Sequence, residues 1–158
     1  MEHPKAIGDR SALAIMLALQ EAGHTIFLPF GENSRCDLAI DIDDRLVRVQ
    51  CKTGRLRQGA VRFKVSSCDA HHRRPPAVTR DYLGEIDYFA VYCPETEGVY
   101  LIPIEDIKLT RKGVLRVDSP RNGQRRRIRF AARYEIGNVS VRATEAPGAS
   151  AGGSAPCA

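Results

Sequence analysis

The segment from Cys36 to Lys52 constrains this chain most. Cys36-Asp37-Leu38-Ala39-Ile40-Asp41 and Leu46-Val47-Arg48-Val49-Gln50-Cys51-Lys52 both read as strands, with a turn at Asp43-Asp44 between them. A two-residue turn fixes one antiparallel register, which sets Asp37 opposite Gln50 and leaves Lys52 two residues further along the same face. The other face collects Cys36, Leu38, Ile40 and Ile42 against Val47, Val49 and Cys51, and is apolar enough to be core. The polar face carries Asp37, Asp41, Arg48, Gln50 and Lys52. Solvation of an edge strand is the ordinary reason for such a face. It does not require an acid, an amide and a lysine in this arrangement.

The 158 residues, 43% of them hydrophobic, suffice for one core. Residues 1–136 read as a single domain. Residues 137–158 read as a flexible tail of Ala, Gly, Ser and Pro with almost no apolar bulk. A net charge of +5 favours a polyanionic partner. Cys36, Cys51, Cys68, Cys93 and Cys157 form no spaced framework, which predicts reduced thiols and a cytoplasmic setting. The longest apolar run, Ala12 to Leu19, is too short to span a bilayer, so no membrane or export role is expected. Cys68 with His71 and His72 lacks a second ligand pair and is flanked by Arg73 and Arg74, so the segment reads as a polar loop rather than a zinc site.

Lys5 to Ala22 is rich in helix formers and ends at Gly23, a good left-handed terminator. Its middle, Leu13 to Leu19, is apolar nearly all round, which predicts burial between the sheet and another element. Thr25 to Leu28 reads as a short strand closed by Pro29 and Gly31. Gly54 to Gly59 reads as a basic turn, after which Val61, Phe63 and Val65 alternate with Arg62, Lys64 and Ser66. Ser67 to Arg80 reads as a long surface loop. Ile86 to Cys93 and Val99 to Pro103 are expected as interior strands, followed by a helical turn near Ile104 and a strand at Val114 to Val117. The densest basic run lies between Arg121 and Arg133.

Taken in order, Lys5-Ala6-Ile7-Gly8-Asp9-Arg10-Ser11, Pro29-Phe30-Gly31, Arg35-Cys36-Asp37-Leu38, Val49-Gln50-Cys51-Lys52-Thr53-Gly54, Gly84-Glu85-Ile86-Asp87-Tyr88-Phe89 and Val99-Tyr100-Leu101-Ile102-Pro103 resemble the PD-(D/E)XK nucleases. The similarity spans residues 5 to 136. It is most specific to the branch of group I intron-encoded homing endonucleases, which carry Gln where most members have Asp or Glu. The resemblance implies an α/β restriction-endonuclease-like fold, a mixed central sheet flanked by helices, and hydrolysis of phosphodiester bonds in double-stranded DNA with Mg2+. It assigns the metal to Asp37, to the side-chain carbonyl of Gln50 and to the backbone carbonyl of Cys51. Lys52 then orients the attacking water or offsets the developing charge. An enzyme that cuts both strands is expected as a homodimer or homotetramer. The DNA-contact candidates are Arg55, Arg57, Arg62, Lys64, Arg73, Arg74, Arg125, Arg126 and Arg127.

One position departs from the pattern. The family's first helix follows Gly8-Asp9-Arg10-Ser11 with a glutamate facing the metal, and this chain has Ala12. Ala12 is an engineered change, or the mark of a natural degenerate member, or it is compensated by Asp9 from one turn earlier, the weakest of the three. Two further functions stay open: a catalytically inactive DNA-binding protein that keeps the fold, and a structure-specific nuclease such as a junction resolvase.

Overall fold

The computed structural model describes residues 3–31, 34–68, 79–80, 82–107, 112–119, 123 and 126–138. Helix α1 (Pro4–Glu21) opens with Pro at its first turn and His3 capping Lys5 N. It closes at Gly23, whose φ of 90° suits glycine alone, with His24 N bonding back to Leu19 O at 3.0 Å. After β1 (Ile26–Phe27), the strands β2 (Leu38–Ile42) and β3 (Arg45–Thr53) form the expected hairpin, and Leu38 pairs with Val49. Asp43 and Asp44 take φ values of 50° and 59°, the left-handed pair of a type I′ turn.

The chain then leaves the central sheet for β4 (Arg55–Arg57) and β5 (Ala60–Lys64), passes through β6 (Ser67–Cys68) and β7 (Thr79–Arg80), and returns as β8 (Tyr88–Cys93) and β9 (Gly98–Pro103). A 3-10 turn at Ile104–Asp106 leads to β10 (Lys112–Arg116). The central sheet runs β1-β2-β3-β8-β9, with β3 and β8 parallel and the other pairs antiparallel. A second, three-stranded sheet runs β10-β5-β4, and β6 pairs with β7.

The central sheet is buried on both faces. On one, Ile15 and Leu19 of α1 pack on Leu38, Ile40, Val49, Tyr88, Ala90 and Leu101. On the other, Phe89, Val91, Cys93 and Ile102 pack on Val61, Phe63 and Leu115 of the second sheet. Strand β8 contributes alternate residues to each layer, which is why it reads as an unbroken apolar run.

Several expectations need correction. Gly54 to Gly59 is not simply a turn: Arg55–Arg57 is a strand, paired to β5 through a tight turn at Gln58-Gly59. Strand β9 lies at the sheet's end rather than its interior, where Leu101 N bonds to Tyr134 O at 2.7 Å and Tyr100 bridges Glu135. Helix α1 is buried along one stripe, while Leu13 and Leu17 stand 63% and 57% exposed, because only one side of it meets the sheet. Cys36 packs with the second-sheet layer instead of joining Leu38. Its alternation breaks because Asp37 N bonds to Val49 O, the carbonyl opposite Leu38, where a regular ladder would turn the Asp37 N–H away from β3. Part of the long loop pairs as β6 with β7; His71, His72 and the remainder of the proposed tail beyond residue 138 lie outside the described residues. Among the described residues, no helix is long and apolar enough to cross a membrane.

Candidate active site

The site forms where β2 and β3 part. Past Leu38 the ladder ends, and the Asp37 carboxylate turns back over β3. Its Oδ2 accepts from Gln50 Nε2 at 2.5 Å and from Cys51 N at 2.8 Å. The acid and the amide expected to face each other therefore do meet. In extended backbone the N–H and C=O of one residue point to the same side of the strand. The Cys51 carbonyl accordingly lies along the edge of β3 that its N–H presents to Asp37, while its thiol packs toward α1. Burial pushes that thiol up to about 12, with the Asp37 charge adding to the rise, so Cys51 contributes no thiolate at neutral pH.

Asp37 is exposed at the rim, yet crowding by protein raises its carboxyl above the ordinary carboxylate value. The Cys51 N–H and the Lys52 charge pull the other way without cancelling the effect.

Lys52 does not point into open solvent. Its Nζ donates to Tyr82 OH at 3.1 Å and sits 4.8 Å from the centroid of the same ring. Tyr82 is 4% exposed and stands edge-on to Phe89 at 5.5 Å. The guanidinium of Arg35 lies 4.5 Å from the Tyr82 centroid and pairs with Glu85. Sequence reasoning did not single out Tyr82. Nothing in its local pattern marks it, because its role comes from packing against a residue of β8.

Arg48, placed on the same polar face, serves the fold. Its guanidinium binds both Asp87 oxygens, at 3.2 and 3.3 Å, and the Gly84 carbonyl at 3.0 Å, fixing the entry to β8 beside β3. On the opposite face, buried Ser11 bonds to Thr53 Oγ1 at 2.7 Å. This contact sets the N-terminal half of α1, with half-buried Ala12 next to Ser11, beside the end of β3 that carries Lys52.

The oxygens of Asp37, Gln50 and the Cys51 peptide are the hard donors that a divalent cation such as Mg2+ takes. The amide nitrogen of Gln50 now faces Asp37, so a half-turn of the amide brings its oxygen into the set. No group of three or more His, Cys, Asp or Glu side chains capable of holding a metal occurs among the described residues. Of the DNA-contact candidates, Arg55, Arg57, Arg62, Lys64, Arg126 and Arg127 are exposed; Arg73, Arg74 and Arg125 lie outside the described residues.

Comparison with known proteins agrees with this architecture. The solved structure of a bacterial homing endonuclease, I-Ssp6803I, is similar with a TM-score of 0.69 and 21% identity, over 86% of this chain and 90% of that one. No curated protein matches. The PD-(D/E)XK endonuclease family matches across residues 2–137, and the chain belongs to that family.

Proposed function

We propose that this protein is a metal-dependent endonuclease that hydrolyses phosphodiester bonds in duplex DNA. The observation that carries the reading is the convergence of Asp37, Gln50 and the Cys51 peptide at the fork of one hairpin, with Lys52 following on the same strand. Asp37, the Gln50 side-chain oxygen and the Cys51 carbonyl would hold Mg2+, which would supply charge neutralisation at the phosphate and a more acidic water. Lys52 orients that water or offsets the charge growing on the phosphate, and Tyr82 keeps its ammonium in place. Arg55, Arg57, Arg62, Lys64, Arg126 and Arg127 draw the polyanion to the surface. The reading extends to a cytoplasmic enzyme of homing type that acts as a homodimer or homotetramer on its two strands.

Ala12 favours a second reading, a duplex-binding protein without cleavage. A methyl group cannot help to hold a hydrated cation, and among the described residues no group of three His, Cys, Asp or Glu side chains makes up for it. Incubating a duplex library and Mg2+ with the chain, with Ala12→Glu, and with Lys52→Ala separates the two. Cleavage by the chain, or by Ala12→Glu alone, supports an endonuclease, and loss on adding Lys52→Ala to the active form supports the site. If neither the chain nor Ala12→Glu cuts any duplex while both bind it, the binding protein stands and the endonuclease falls. Preference for branched over linear DNA would replace the homing-type reading with a junction nuclease.

A further inference from the structure

The second sheet turns Leu56, Val61, Phe63 and Leu115 inward to the core and a different set of residues outward. Its register sets Arg55 directly across from Arg62, and Lys64 directly across from Lys112. Arg57 and Arg116 flank Ala60 in the next row. Like charges at directly opposed positions of an antiparallel pair destabilise a sheet. Here two such pairs lie side by side on one small face. Among the described residues, the face has one ion pair, Arg55 with Glu95 at 3.6 Å. Arg62 donates to the Gln58 amide oxygen at 3.4 Å, and Arg116 to a backbone oxygen of Asp118 at 3.2 Å.

We infer that the outer face of this sheet is a platform for the phosphates of duplex DNA, with Lys112 and Arg116 joining Arg55, Arg57, Arg62 and Lys64; this rests on the duplex-nuclease reading above. The partner follows from what the face offers. It is cationic, and among the described residues Val114 is its one large apolar side chain and it presents no aromatic ring. Membrane insertion needs an apolar face, and single strands are held by stacking on aromatic rings. Rows of cations spaced about 7 Å along the strands and about 4.8 Å across them can follow a phosphate backbone.

The platform is also joined rigidly to the chemistry. Strand β4 begins three residues after Lys52, through Gly54, where a Cβ would lie 2.6 Å from Val61 Cγ1 and 2.9 Å from Val91 Cγ1. A duplex resting on the sheet is thereby held in fixed relation to Lys52.

The test compares the parent chain with Arg62→Gln/Lys64→Gln/Lys112→Gln and with a matched variant, Lys5→Gln/Arg45→Gln/Arg133→Gln. Binding to duplex DNA, single-stranded DNA and anionic phosphatidylserine vesicles is followed by fluorescence anisotropy or sedimentation across a salt series without Mg2+. Thermal unfolding is recorded in parallel. The sheet variant should lose about 10- to 100-fold in duplex affinity, and its salt slope should fall by about 2.7. Its unfolding midpoint should hold or rise, since the opposed charges are gone, and the matched variant should bind close to the parent. Equal duplex affinity and salt slope in parent and sheet variant would overturn the platform and leave the nuclease reading intact. A folded parent that binds no duplex at any salt overturns both. Tighter binding of single strands or vesicles than of duplex overturns the assignment of the partner.

Discussion

The hairpins β2–β3 and β4–β5 use one backbone device to opposite ends. Each turns on two residues with positive φ, Asp43-Asp44 in the first and Gln58-Gly59 in the second, and each buries an apolar side. Their polar sides differ. In the first, every charged or amide group near the fork is tied to a named partner: Asp37 to Gln50 and Cys51, Lys52 to Tyr82, Arg48 to Asp87. In the second, cations oppose cations with little to hold them. A restrained set holds its groups close to one arrangement. A loosely held set of long cationic chains adapts to an extended anion, and its mutual repulsion is relieved when that anion arrives.

The largest expected effect severs a tie on the first hairpin. Tyr82→Ala removes a buried ring beside Phe89 as well as the support of Lys52, and should lower unfolding stability in urea by about 3–5 kcal/mol. Tyr82→Phe keeps the ring and loses only the hydroxyl, so it should cost about 0.5–1.5 kcal/mol. A cost for Tyr82→Ala no greater than for Tyr82→Phe would mean that the first hairpin is held no more firmly than the second.

Next comes the seam between the hairpins. Gly54→Ala drives a methyl into Val61 and Val91, and should destabilise by about 1–3 kcal/mol in the same measurement. An unchanged midpoint would show that the two sheets slide freely against each other at this point.

The smallest effect concerns Asp37. Its carboxyl holds a proton more tightly in the folded chain than in the unfolded one, so the folded state binds more protons between the two values and stability falls as pH rises through that window. At neutral pH the ionised group therefore detracts from stability. Asp37→Asn should raise stability there by no more than about 0.5 kcal/mol, a screened surface effect. The gain should vanish as pH falls below the ordinary carboxylate range. Thermal unfolding at pH 7 and pH 3.5 checks it, and a loss of stability at pH 7 would contradict the sign.

The first hairpin was legible because turn chemistry and period-2 alternation agree over its whole length, and register then follows from geometry. The second was only half legible. Arg55-Leu56-Arg57 is too short and too charged to read as a strand, and it becomes one only because β5 lies alongside. The apolar girth of α1 concealed which side meets the sheet, since Leu13 and Leu17 look no different in sequence from Ile15 and Leu19. The meeting of Asp37 with Gln50 follows from the hairpin register, whereas the contact of Tyr82 with Lys52 has no signal in the sequence. Tyr82 reaches Lys52 only through packing against Phe89. Cys36 was misplaced for a local reason, the irregular bond from Asp37 to Val49.

The parallel pairing of β3 with β8 also bears on the order in which the protein forms. Arg48 and Asp87 are 39 residues apart in sequence, with the whole β4–β5 hairpin between them. The two hairpins can close in microseconds from local contacts, whereas the parallel pair must first overcome the entropy of a long loop. Phe89 is set by β8, and Tyr82 by Phe89. Lys52 thus acquires its fixed position only in the last, non-local step of folding. A chain arrested before that step would already display the cationic hairpin while the Lys52 ammonium still moved freely.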